Sequence, residues 1–64
     1  MTLVDANNEG KLAFKKGKMS APALNNLFIT NMCRFVDSKE NTKKLTCLQL
    51  LDAYSNGWHS ENLK

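Results

Sequence analysis

The stretch Ser20-Ala21-Pro22-Ala23-Leu24-Asn25-Asn26-Leu27-Phe28-Ile29-Thr30-Asn31-Met32-Cys33-Arg34-Phe35-Val36-Asp37 decides how this chain folds. Ser20 is a side-chain acceptor suited to the N-cap, and Pro22 falls in the first turn, where a missing N–H is harmless. At about 100° per residue, Leu24, Leu27, Phe28, Met32 and Phe35 share one face, which Ile29 and Val36 extend. Asn26, Thr30, Arg34 and Asp37 take the opposite side. The spacing predicts a helix over 20–37. Asn31 projects into the middle of the apolar arc, so it either hydrogen-bonds inside the assembly or meets a polar partner.

On the C-terminal side, the polar run from Ser38 to Leu45 reads as a connector, long enough to let two helices pack antiparallel. A third segment over 46–60 opens on Thr46 and Gln49, spaced as a capping box. Cys47, Leu48, Leu50, Leu51, Tyr54 and Trp58 form its broad apolar stripe. On the N-terminal side, residues 1–18 read as a short basic helix that starts after a capping Asp5 and stops at Gly17, a residue suited to the left-handed position beyond a helix end. Gly10 inside it costs about 1 kcal/mol relative to alanine. The expected fold is all-α: a small single-domain bundle of two longer helices forming a hairpin, plus the short N-terminal helix. No alternating segment reads as a strand.

Composition narrows the function. Sixty-four residues bury only about 60% of the surface exposed on unfolding, so the core is thin and a deep catalytic cavity is not expected. Nine Lys and Arg against six Asp and Glu give a net charge of +3, and four of the nine (Lys11, Lys15, Lys16, Lys18) fall within eight positions. No run approaches the roughly 20 apolar residues of a membrane span, and the start lacks the basic-then-apolar layout of an export signal. A cytoplasmic protein with free Cys33 and Cys47 is expected.

Catalytic and metal chemistry find no set of residues to work with. Cys33, Cys47 and the single His59 are too few and wrongly spaced for a zinc site, and no third group orients a Cys–His pair. Gly10 and Gly17 lack the Gly-Lys-Ser/Thr ending of a phosphate-binding loop. No cofactor is expected, and the chain reads as a binding protein, not an enzyme. His59 beside Trp58 is a plain surface residue or a platform for a nucleic-acid base.

The segment Gly10-Lys11-Leu12-Ala13-Phe14-Lys15-Lys16-Gly17-Lys18 carries the sharpest functional signal. On a helix, Gly10, Ala13 and Gly17 fall within about 60° of one another and form a side-chain-poor face. Lys11, Lys15 and Lys18 edge it at spacings of four and three, with Lys16 adding charge. That arrangement suits close approach to a phosphate backbone or to another helix, with the lysines acting as point charges. The plainer reading is a solvated lysine face that packs Phe14 inward.

Gly10, Ala13 and Gly17 with the lysines between them, followed later by Tyr54 and the pair Gly57-Trp58, resemble the ribosome modulation factor family. Members show a basic G-x-x-A-x-x-x-G stretch near the start and close with an aromatic residue ahead of a Gly-Trp pair; Pro22 stands where a proline follows the basic stretch. The resemblance implies a small helical protein that docks on the ribosome, contacts ribosomal RNA and promotes an inactive ribosome. Lys11, Lys15, Lys16 and Lys18 would then touch phosphates, and Tyr54 and Trp58 would be structural or pack on the ribosomal surface. A longer stretch between Pro22 and Gly57, the amphipathic helix within it and a lower net charge mark a divergent relative, such as a phage-encoded or accessory protein. The alternative is an inhibitor of one host protein, or a homodimer, acting through apolar helix faces, with Phe28, Asn31, Phe35, Tyr54 and Trp58 as interface candidates.

Overall fold

Thr2 and Asp5 set the start of the first helix through a reciprocal pair of bonds: the Asp5 N–H donates to Thr2 Oγ1 (3.1 Å), and the Thr2 N–H donates to Asp5 Oδ2 (2.9 Å). The cap is therefore Thr2, not the expected Asp5, because this pairing satisfies two orphan donors where Asp5 alone would satisfy one. The computed structural model of the chain describes residues 1–17 and 26–64. Over them run α1 (Leu3–Lys15), α2 (Asn26–Val36) and α3 (Cys47–Asn62), with no strand among the described residues. The protein is all-α. Ser20, Pro22 and Leu24, expected to open the second helix, lie outside the described residues.

The end of α1 follows expectation. Gly17 adopts φ +75° just past the C-cap Lys16, and its N–H donates to the Phe14 carbonyl at 3.0 Å. Glycine occupies this left-handed position without the Cβ clash other residues meet there. The α3 start also follows expectation: the Gln49 N–H donates to Thr46 Oγ1 (3.2 Å) and the Thr46 N–H to Gln49 Oε1 (2.9 Å).

Between α2 and α3, Asn41 organises the connector. Its Nδ2 donates to the carbonyls of Val36 (3.2 Å) and Leu45 (2.9 Å), and its Oδ1 accepts from the Leu45 N–H (2.8 Å). One side chain thus ties the end of α2 to the residues leading into α3, and Ser38 Oγ adds a bond to the Phe35 carbonyl at 2.7 Å.

Ala6, Ala13, Phe28, Met32, Leu50 and Tyr54 form the core. Phe28 of α2 meets Tyr54 of α3 with ring centroids 4.6 Å apart. The expected pairing of two longer helices with a minor N-terminal one is met only in part, because α1, at 13 residues, makes the closest interface with α3. The two run in the same direction. Met1 to Val4 share a cavity wall with Leu45, just ahead of α3, while Phe14 packs on Trp58 near its far end. The apolar arcs are also narrower than expected: Leu27 and Leu48, assigned to the buried stripes, are 72% and 68% exposed.

Candidate functional site

The α1–α3 crossing is built from missing side chains. A Cβ on Gly10 would strike the Tyr54 carbonyl oxygen, lie 2.8 Å from the carbonyl carbon behind it, and come within 3.0 Å of the Trp58 nitrogen. A Cβ on Gly57 would likewise strike the Asn7 carbonyl oxygen and lie 2.8 Å from its carbon. These obstacles are backbone atoms and cannot swing away. Ala13 completes the contact with one methyl group, 3% exposed. Asn7 Nδ2 reaches across to donate to the Ala53 carbonyl at 3.2 Å.

The face formed by Gly10 and Ala13 is therefore filled by α3, so of the two occupants the sequence left open, a phosphate backbone or another helix, a helix of this chain takes the place. Gly17 does not belong to that face, since α1 stops at Lys15 and Gly17 stands exposed, where an added Cβ would meet none of the described residues. Gly10, expected to weaken α1, is where the helix gains its partner.

Burying the small face leaves the lysines to solvent. Lys15 and Lys16 are exposed at the last turn and cap of α1, and Lys11 is half-buried one turn earlier. Lys18 lies outside the described residues. Because α1 and α3 run in parallel, this basic edge arrives beside the last turn of α3. There Lys64 Nζ donates to Glu61 Oε1 at 2.9 Å. That hydrogen bond holds the Glu61 carboxyl below its ordinary value, partial burial opposes it, and the charges of Lys64, Lys15 and Lys11 add to the lowering. Lysines from both ends of the sequence thus act on one carboxylate. Sequence reasoning missed Lys64, although its spacing of three from Glu61 signalled a helical ion pair.

Aromatic rings lie within the same end of the molecule. Phe14 meets Trp58 edge to face, centroids 5.2 Å apart at 83°, and Trp58 meets His59 at 5.1 Å and 82°. Phe14 and Trp58 are half-buried and His59 is exposed. Of the other interface candidates, Phe28 (2% exposed) and Tyr54 (1%) are interior and cannot present their rings to a partner. Phe35 is half-buried and lines a cavity of about 260 Å³ with the apolar Leu3, Val4 and Leu45 and the charged Glu40 and Lys43. Asn31 is solvent-exposed at a shallow depression shared with Arg34 and Lys39, outside the buried arc of Phe28 and Met32, so it is not an interior amide of this chain.

Among the described residues, no group of three His, Cys, Asp or Glu side chains converges as a metal ion would require. Cys33 is exposed and Cys47 half-buried, both as free thiols. No described helix is long and apolar enough to cross a membrane. No protein-family model, curated protein sequence or solved structure matches the chain.

Proposed function

We propose that the protein is a small non-enzymatic regulator that binds the ribosome through ribosomal RNA and modulates translation from the cytoplasm. The observation that carries this reading is the meeting of the two short motifs that resemble the ribosome modulation factor family. Gly10 and Ala13 from the first interlock with Tyr54 and Gly57 from the second, with Trp58 packed beside them on Phe14. The motifs then form one structural unit whose product is the basic edge of Lys11, Lys15 and Lys16 with Lys64 alongside. In this reading α2 and α3 form a hairpin that braces α1, and RNA contacts the lysine edge, not the glycine face.

Binding through about four lysines should fall roughly 50- to 150-fold between 50 and 200 mM salt, as counterion release requires. The test is sedimentation with ribosomes from lysate across a salt series, for the native chain and for K11E, K15E and K16E combined. Co-sedimentation at low salt that the triple variant loses supports the reading. A native chain that stays in the supernatant at low salt, or a triple variant with unchanged activity, sinks it.

A second reading draws on exposed apolar side chains. Val4, Leu27 and Leu48, one on each helix, are 67%, 72% and 68% exposed. They suit capture of one host protein. Recovery of a single protein that resists high salt, with no ribosomes, would favour it.

A further inference from the structure

The end of α1 that carries the basic edge packs on α3 through Phe14 and Trp58, three residues before the carboxylate of Glu61. Glu61 sits on the last turn of α3 with its side chain only 11% exposed, hydrogen-bonded to Lys64, whose own side chain is 68% exposed. Lys11 and Lys15 reach it electrostatically from α1. Most surface ion pairs consist of two mobile partners. Here the anion is largely covered while the cation stands mostly in solvent.

We propose that Glu61 is the affinity-setting residue of the RNA-binding edge: a largely covered counter-charge that holds Lys64 in reserve and weakens the hold on phosphate enough to keep binding reversible. The proposal rests on the RNA reading above. A phosphate approaching Lys15 also approaches the Glu61 carboxylate, so each contact is opposed by a nearby like charge. The exposed Lys64 ammonium can exchange its carboxylate for a phosphate oxygen without a helix moving, since only its own side chain must turn. A strand with several consecutive phosphates can engage Lys15, Lys16 and Lys64 together and outcompete one carboxylate. An isolated anion cannot, so the edge selects an RNA backbone over small phosphates.

The test is titration of a fluorescently labelled single-stranded oligoribonucleotide of mixed sequence with the native chain, E61Q, E61A, K64A and K15E, and with inorganic phosphate as competitor. Removing the carboxylate should tighten binding about 3- to 10-fold at low salt, by the charge removed near each phosphate. The salt dependence should steepen by up to about 0.7 in log–log slope. K64A and K15E should weaken binding, and inorganic phosphate at the same phosphate concentration should not displace the RNA. A merely structural Glu61 predicts the reverse sign, with E61Q and E61A losing affinity along with thermal stability. If the native chain binds and K15E weakens it while both Glu61 variants match the native chain or bind worse, the affinity-setting role is wrong and the RNA reading stands. If the native chain does not bind at all, both are wrong.

Discussion

Gly10 and Gly57 face each other's helices so closely that the space each would need for a side chain is filled by main chain, the Tyr54 carbonyl over Gly10 and the Asn7 carbonyl over Gly57. Helices usually pack through interdigitated side chains with axes 8 to 10 Å apart. Here two hydrogens stand in for them.

Replacing either glycine with alanine should therefore destabilise the fold, although alanine is the better helix former by about 1 kcal/mol. Overpacking against backbone should outweigh that gain, for a net loss of about 1–3 kcal/mol per site. In a domain this small, that is a fall in Tm on the order of 4–20 °C. Thermal melts of G10A and G57A followed by circular dichroism check this. Unchanged or raised melting temperatures would show that the helices separate without cost.

Gly17 offers a contrast at the other kind of glycine. Its φ of +75° is strained for any other residue, yet an added Cβ would meet none of the described residues. G17A should cost about 1 kcal/mol through backbone strain alone. It should leave the α1–α3 contact and the Phe14–Trp58 geometry intact. Tryptophan fluorescence of the folded state measures the difference, unchanged in G17A and shifted in G10A.

Asn41 makes three hydrogen bonds within the connector, so N41A leaves partly buried carbonyls of Val36 and Leu45 and the Leu45 N–H without their partner. At about 0.5–1.5 kcal/mol per bond, and with water replacing some of them, a loss of about 1–3 kcal/mol is expected. Amide hydrogen exchange should accelerate first at Leu45.

The lowered carboxyl of Glu61 predicts a small acid-side loss of stability. A depressed folded-state value means that the carboxylate contributes fully above its unfolded value and loses that contribution as pH falls through the folded value. E61Q should flatten this part of the stability profile. Denaturant midpoints measured for both chains from pH 6 down to pH 3 test it, and parallel curves would contradict it.

Several elements were legible because they depend on local chemistry. Thr46 and Gln49, spaced three apart ahead of an apolar run, could hardly do anything but cap a helix, and Gly17 at the end of a lysine-rich segment marked its stop. Thr2 was missed because Asp5 is an equally good cap when read alone; only the reciprocal bond between them decides. Leu27 and Leu48 fit apolar arcs by angle, but a 64-residue chain lacks enough neighbouring elements to cover a wide arc, and both stay exposed. The side-chain-poor face was plain from Gly10 and Ala13, whereas its occupant was not. A gap between side chains fits a phosphate backbone or a helix backbone equally well, and the choice was made by Gly57, far along the sequence. Phe28 and Tyr54 looked like anchors for a partner for the same reason. Their pairing with each other is a long-range event that no spacing reveals.

The Gly10–Gly57 crossing also restricts what the chain can become. Sliding α1 along α3 by one helical turn would bring Ala6 or Phe14 under the Tyr54 carbonyl, and Ala53 or Glu61 under that of Asn7, each carrying a Cβ where none fits. The pair can therefore mate in one alignment alone, like a key cut with a single notch. Whatever the lysines touch, they reach it at one fixed phase relative to the C-terminal turn.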